Sequence, residues 1–212
     1  MIEKQSLIKI DMHVHTSYSY DSELTSSQLV TTCLARGING LVVADHNETK
    51  GAYEVRKIAP FPVIIAEEIA TLEGEIISLF IRKKIQPGFS AEKTMDVIHA
   101  QGGLVYVPHP FEKNTRKTSL SVETCSRLKD KIDIIEVFNS RTLSDKDNQL
   151  ADKFASEAQK LKGVRSDAHT KFEVGNAYVE MKPFSNKKEF LLNLKKAKLF
   201  TKKNPALGFP DY

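Results

Sequence analysis

The chain has 212 residues, which fits a single domain, and a folded chain of this length buries roughly 70% of the surface that its unfolded form exposes. Such a core needs no disulfides, and the two cysteines, Cys33 and Cys125, lie far apart, so the sequence indicates a reducing, cytoplasmic location. The net charge of +4 is mild, residues 1–10 lack the apolar stretch of a signal peptide, and no apolar run approaches the ~20 residues of a membrane span, so we expect no membrane association.

Short apolar runs alternate with helix-like segments along the chain, and we interpret the runs as strands. Several are rich in β-branched residues and apolar on both faces, such as residues 63–65, as expected of parallel strands buried between layers. The predicted strands cover residues 7–12, 40–44, 62–66, 76–82, 103–107, 132–138, 164–166 and 175–181.

Four helices are predicted from capping residues and apolar spacing. Strands that alternate with helices predict a βα-type parallel sheet or barrel, formed here by one domain over residues 1–200 with an irregular tail over residues 201–212. The predicted helices run from a cap at Thr25 or Ser26 to Gly37, from a cap at Ser90 to Gly102, over residues 144–161 with an end at Gly163, and from Ser185 onward.

The last predicted helix lies in a basic segment, residues 182–203, which carries eight lysines against one acid, Glu189. A charge run of this kind is either a solvated helix face or a basic rim that attracts an anionic substrate, such as a phosphate ester or a short nucleic acid. The charge alone does not decide between the two interpretations.

Histidines and acids cluster at the carboxyl ends of the predicted strands. In a barrel these ends meet on one face, so residues that are distant in sequence converge there. Imidazole and carboxylate ligands suit Zn, Mn or Fe, and a metal cluster commonly turns water into hydroxide, so the clusters predict a metallohydrolase with more than one divalent ion. The clustered residues are Asp11, His13 and His15; Asp45 and His46; Glu67 and Glu68; His109; and Asp167 and His169.

The individual clusters differ in how specific they are. His13 and His15 are two apart on a strand and therefore share one face with Asp11, which we expect to orient a ligating ring. Asp45 and the histidine after it could instead cap a helix. One carboxylate of the Glu67–Glu68 pair must face inward, which costs several kcal/mol unless it is paired or metal-bound.

These clusters resemble, in order, the motifs of the PHP family, the phosphoesterase domain shared by polymerases and histidinol phosphatase. The resemblance spans residues 8 to 169, and although each motif is weak alone, the ordered set is specific. The matching segments are IKIDMHVHT at 8–16, VADHN at 43–47, AEEI at 66–69, VPHPF at 107–111, IEVFNSR at 135–141 and SDAH at 166–169.

The resemblance implies an α/β fold, a distorted (β/α)7 TIM-like barrel, with two or three divalent ions of Mn, Zn or Fe. Carried over by position, it implies a bridging role for Glu68 between the first and second ions. The implied ligands are His13, His15, Glu68 and Asp167 for the first ion, Glu68 and His109 for the second, and His46, His169 and Asp21 for the third.

Two positions depart from the family pattern. Asp21 comes one residue later than the commoner spacing, because Tyr20 intervenes. Glu75 stands where many members have a histidine ligand; it is either an anionic ligand, which would favour Mn over Zn, or an acid on an edge strand.

The leading hypothesis is a metal-dependent phosphoesterase that hydrolyses small phosphomonoesters, nucleotides or oligonucleotide ends with a metal-activated hydroxide. The expected partner is a phosphorylated small molecule or nucleotide, with short nucleic acid as a further candidate. The implied catalytic residues are Glu68, His46 and His169; Arg141 and Arg116 are candidate phosphate-binding residues, and Asp11, Asp45, Glu136 and Asn139 are expected to orient the ligands.

Two alternatives stay open. A metal-dependent amidohydrolase-like enzyme that cleaves C–N bonds would have a similar barrel and similar ligands, but the sequence offers no lysine suited to carboxylation as a metal bridge. A non-catalytic PHP domain would have lost ligands, whereas nearly every expected position here holds a residue capable of ligation.

Overall fold

The computed structural model describes residues 7–112, 118–142 and 144–204. Within these ranges the strands are β1 Ile8–Val14, β2 Gly40–Val43, β3 Val63–Ala70, β4 Glu75–Leu79, β5 Leu104–Val107, β6 Ile134–Asn139, β7 Leu161–Arg165, β8 Ala177–Met181 and β9 Lys198–Thr201. The helices are α1 Ser26–Arg36, α2 Lys50–Ile58, α3 Ala91–Ala100, α4 Val122–Arg127, α5 Asp145–Glu157 and α6 Lys187–Leu194, with a 3-10 turn at Lys129–Lys131.

The strands form one sheet in the order β7-β6-β5-β4-β3-β2-β1-β8-β9. The sheet curls so that β7 comes close to β1. The chain after β7 pairs with the end of β1: Asp167 N donates to His13 O, and His15 N donates to Ala168 O. The result is a nearly closed α/β barrel, which confirms the predicted fold class.

The sheet is mixed, so the expected parallel arrangement is wrong for two of the predicted strands, β4 and β8. Strands β1, β2 and β3 are parallel, as are β5, β6 and β7, but β4 runs antiparallel to β3 and β5. The connection from β3 to β4 is a short turn around Gly74, and a turn this short joins antiparallel strands only. Strands β8 and β9 are also antiparallel to their neighbours.

The core explains why the strand sequences are apolar on both faces. Leu41, Val42 and Val43 are all fully buried, since one face of β2 packs against helices and the other faces the barrel interior.

None of the helices in the described ranges is long and apolar enough to cross a membrane.

The first predicted helix has the caps that the sequence indicated. The Thr25 side chain accepts from Gln28 N, and Gly37 ends α1 in the left-handed conformation. The third predicted helix was too long, because α5 ends at Glu157 and the chain then turns through Gln159, which has a φ of 53°. Gly163 lies inside β7, where a Cβ would come 2.7 Å from the Tyr106 hydroxyl.

Other differences are at the C-terminal end. The cap of α6 is Asn186 and not Ser185, and β9 was not predicted, because its four residues are exposed and lack a buried face. This strand crosses the predicted domain boundary at residue 200. Residues 205–212 of the predicted tail lie outside the described residues.

Candidate metal centre

Glu68 is the centre of the site and is 1% exposed. Its Oε2 lies 3.3 Å from His13 Nε2, 3.4 Å from His15 Nε2 and 3.3 Å from His46 Nδ1. Its Oε1 lies 3.2 Å from His109 Nε2. One carboxylate therefore contacts four rings from three separate segments of the chain.

The other acidic side chains surround this centre. Asp167 Oδ1 lies 3.4 Å from the Nε2 atom of His15. Asp21 Oδ2 lies 3.1 Å from His169 Nε2 and 3.4 Å from His46 Nε2, so the residue after the inserted tyrosine still reaches the site.

Glu75 also lies in the cluster. Its Oε2 is 3.4 Å from His109 Nε2, and its Oε1 is 3.6 Å from His46 Nδ1. Strand β4 carries this side chain into the pocket because it pairs with β3 beside Glu68. Of the two interpretations of Glu75, the geometry favours ligation over an ordinary edge-strand acid.

Within the part of the chain that the structure describes, the candidate ligand atoms form three overlapping groups, each with all its atoms within 4.8 Å of one another. His15 and His46 each belong to two groups, a sharing that the positional carry-over did not contain. The groups are His13, His15 and Glu68; His46, Glu68 and Glu75; and His15, Asp21, His46 and His169.

The chemistry of the pocket fits divalent cations. Both ring nitrogens of His13 and the Nε2 of His15 are buried and have no hydrogen-bond partner among the described residues. A buried polar atom without a partner costs about 1–3 kcal/mol, and a cation held by these nitrogens would remove that cost. Mixed imidazole and carboxylate ligands are those that Zn, Mn and Fe accept.

Two candidate ligands lie in unusual backbone conformations. His109 has a φ of 28° and Asp167 a φ of 56°, in the left-handed region that non-glycine residues rarely adopt. Such strain costs on the order of 1–3 kcal/mol and is concentrated at functional sites. The strain at both positions is consistent with ligand geometry that the surrounding fold imposes.

The ionisation of the pocket reflects competition between burial and charge. Burial alone would raise the pKa of Glu68, but the His109 hydrogen bond and the neighbouring imidazoles outweigh it and lower that pKa. Burial lowers the pKa of His15. For His46 burial acts in the same direction, but the Asp21 hydrogen bond and the nearby carboxylates outweigh it and raise the pKa to about 9.

Two of the four residues expected to orient ligands contact a ligand directly, and a third, Asp45, reaches His15 through Ser19. Glu136 Oε1 accepts from His109 N at 2.8 Å, and Asn139 Nδ2 donates to Asp167 Oδ2 at 3.2 Å. Asp45 accepts from the Ser19 hydroxyl at 2.9 Å, and that hydroxyl lies beside the His15 ring.

Asp11 has a different place from the one expected. Its carboxylate accepts from Ser166 N at 3.0 Å and from Gly175 N at 2.9 Å. Asp11 therefore stabilises the turn that carries Asp167 and does not orient an imidazole ring directly. The reason is that the end of β1 lies against the chain after β7, so the Asp11 side chain meets backbone donors.

The two candidate phosphate-binding arginines have different outcomes. Arg141 lies at the edge of the pocket, with Nη1 against His169 Nδ1 and Nε 3.7 Å from Glu173 Oε1. Its side chain is partly exposed, so the guanidinium is accessible to an anion. Arg116 lies outside the described residues.

Several supporting residues were not predicted. Glu173 accepts from His169 N and Thr170 N, both at 2.9 Å, and the Thr-x-x-Glu spacing that begins at Thr170 could have indicated this turn. Ser119 Oγ lies 3.2 Å from His109 Nδ1. Arg165 is fully buried beside Asp167, and no sequence pattern marks an arginine in a strand as a core residue.

Comparison with known proteins identifies a relative that matches nearly the whole chain. The uncharacterized protein MJ0417 of Methanocaldococcus jannaschii is 33% identical over 216 residues, which cover 96% of this chain and 86% of that protein. The family model PHP_C, described as PHP-associated, matches residues 145–199.

Solved structures share the fold at low sequence identity. A two-domain protein of Bacteroides vulgatus that contains a predicted PHP-like metal-dependent phosphoesterase matches with a TM-score of 0.75 and 15% identity, over 93% of this chain and 65% of that one. The lesion-specific endonuclease PfuEndoQ of Pyrococcus furiosus matches with a TM-score of 0.69 and 18% identity, over 91% of this chain and 57% of that one. This chain thus spans less than two thirds of either structure. The ordered motifs, the matching family model and the barrel agree, and the chain belongs to the PHP domain family.

Proposed function

We propose that the protein is a metal-dependent phosphoesterase that hydrolyses small phosphomonoesters, nucleotides or oligonucleotide ends. The observation that carries this proposal is the placement of Glu68 between four histidine rings, with further carboxylates around them. This arrangement suits two or three divalent ions that share ligands. Bound ions of this kind lower the pKa of water and neutralise the charge that develops on a phosphoryl group.

The residues divide into inner and outer parts of the pocket. His13, His15, Glu68 and Asp167 would hold the inner ion, and Glu75 and His109 would join Glu68 around the second. The outer part, with His46, His169 and Asp21, is the more exposed, since the Asp21 side chain is 36% accessible.

A phosphate ester would approach from this outer side. There Arg141 can donate two parallel hydrogen bonds to phosphate oxygens. The Nε2 atoms of His46 and His169 both lie beside Asp21 Oδ2, so in a site with two ions, where no third ion takes these nitrogens, either ring can hold the proton that a leaving alkoxide requires.

The test is a substrate panel with added Mn, Zn or Mg, together with elemental analysis of the purified protein. The panel contains glycerol phosphate, a nucleoside monophosphate, an oligonucleotide with a terminal phosphate and a dihydropyrimidine amide. We expect phosphate release that depends on metal, abolished by chelation, and two to three ions per chain, as the implied site predicts. Turnover of the amide alone would favour C–N hydrolysis, and less than one ion per chain would favour a non-catalytic domain.

The position of the inserted residue Tyr20 favours substrates that contain a planar aromatic group. Its ring stacks on the His46 ring, with centroids 5.0 Å apart and an angle of 22°, yet the residue is 86% exposed. A base stacked on an aromatic side chain contributes about 1–3 kcal/mol. The exposed ring beside the outer ligands is therefore a platform for a nucleobase.

The Tyr20→Ala variant tests this substrate class. We expect KM for the nucleoside monophosphate to rise about tenfold, in line with the loss of one stacked base, while KM for glycerol phosphate changes less than about twofold. The Tyr20→Phe variant keeps the ring and serves as the matched control. Equal changes for the two substrates would contradict a stacking role.

A further inference from the structure

The Ser19 hydroxyl connects two candidate ligands and is only 3% exposed. It donates to or accepts from three groups: Asp45 Oδ1 at 2.9 Å, His46 N at 3.1 Å and His15 Nδ1 at 3.0 Å. Ser19 lies in the loop between β1 and α1, two residues before Asp21. No pattern in the sequence singled it out.

The direction of each hydrogen bond follows from the number of available protons. The backbone N–H of His46 can only donate, so the Ser19 oxygen accepts there. The Asp45 carboxylate accepts, and it already receives Thr16 N at 2.6 Å on the same oxygen. The single proton of the hydroxyl therefore goes to Asp45, and the remaining lone pair of Ser19 accepts a proton from His15 Nδ1.

We propose that Ser19 is a positioning residue that holds His15 in the tautomer with the proton on Nδ1. In this tautomer the lone pair of His15 Nε2 points into the metal pocket, where Glu68 and Asp167 oxygens both lie 3.4 Å away. The inference rests on the proposed function only in taking His15 as a metal ligand.

The Ser19 hydroxyl counteracts a preference of the His15 ring for the tautomer with the proton on Nε2. Two carboxylates face Nε2, and each favours a proton on that nitrogen, which would block coordination. A fixed acceptor on the Nδ1 side offsets this preference, and such partners of ligating histidines set both tautomer and ring orientation.

The surrounding structure supports this network. Asp45 Oδ2 accepts from the Thr16 hydroxyl at 2.7 Å, so the carboxylate that receives the Ser19 proton is itself fixed. Gly51 of α2 packs against the side chains of Thr16 and Asp45, and a Cβ at this position would come 2.1 Å from Asp45 Oδ2. His109 follows a similar arrangement, with Nδ1 beside the Ser119 hydroxyl at 3.2 Å.

Nitrogen-15 NMR of the imidazole side chains tests the tautomer directly in protein freed of metal by chelation. At pH 8 we expect the wild-type His15 ring to carry its proton on Nδ1, the side on which the Ser19 oxygen accepts. In Ser19→Ala the ring should shift towards the Nε2-protonated form. Ser17→Ala, an exposed serine in the same loop, should leave the His15 signals unchanged.

Calorimetric titration with Mn or Zn supplies a second readout that does not depend on turnover. Ser19→Ala should weaken metal affinity about 10- to 100-fold, the usual effect of removing a partner of a ligating histidine. Ser19→Thr retains a hydroxyl and should recover most of the affinity.

The two measurements separate failure of this inference from failure of the proposed function. A wild-type His15 protonated on Nε2 would overturn the inference, even if Ser19→Ala did not fold. An unchanged tautomer and an unchanged affinity in Ser19→Ala would overturn it as well. Neither result depends on whether any phosphate ester is hydrolysed.

Discussion

Replacing Glu68 with glutamine is expected to lower phosphoesterase kcat/KM by about a thousandfold, at the upper end of what loss of one charge-stabilising group costs. The reason is that Glu68 contacts four imidazole rings, so the substitution removes the anionic centre of at least two candidate metal groups at once. Elemental analysis of the variant should show at least one ion fewer per chain than the wild type.

Two neighbouring carboxylates provide the controls for Glu68. Glu67 is buried as well, but its Oε2 accepts from Ile85 N at 2.8 Å on the other side of β3, so Glu67→Gln should retain metal. Glu75→Gln should lose less activity than Glu68→Gln, because Glu75 contacts two rings and belongs to one group. Comparable turnover in the Glu68 and Glu75 variants, with metal content intact, would exclude a bridging role.

The Arg165→Met substitution is expected to lower the free energy of unfolding by about 3–5 kcal/mol, the range for breaking a buried ion pair from one side. Arg165 is fully buried, with Nε against Glu136 Oε2 and Nη2 3.4 Å from Asp167 Oδ2. Burial lowers the pKa of Arg165 to about 10, so the guanidinium stays charged at neutral pH. Without this cation, two buried acids lack their counter-charge: Asp167, a candidate ligand, and Glu136, which accepts from His109 N.

Denaturant unfolding of matched variants measures this effect. Lys162→Met changes another basic residue of β7, but its ion pair with Asp152 is partly exposed, so we expect a loss below about 1 kcal/mol. The double variant Arg165→Met with Glu136→Gln should recover part of the stability, because it removes one of the stranded charges. A single-variant loss below 1 kcal/mol would show that the pair does not stabilise the fold.

The sequence was sufficient to predict the barrel, most of its strands and the set of candidate ligands. His13 and His15 could be assigned to one face because side chains alternate along a strand. The location of His109 and Asp167 after apolar runs indicated the carboxyl ends of strands, where barrels place their sites. These inferences succeeded because strand periodicity and ligand chemistry are local properties of a few consecutive residues.

Only the tertiary structure decided how those side chains meet. Adjacent acids such as Glu67 and Glu68 cannot be distinguished by pattern, and the curvature of the sheet determines which one faces the rings. The antiparallel course of β4 carries Glu75 into the pocket, and the Ser19 hydroxyl acquires its role from partners in other segments. Contacts of this kind depend on register and on distances between residues remote in sequence, and a linear pattern contains neither.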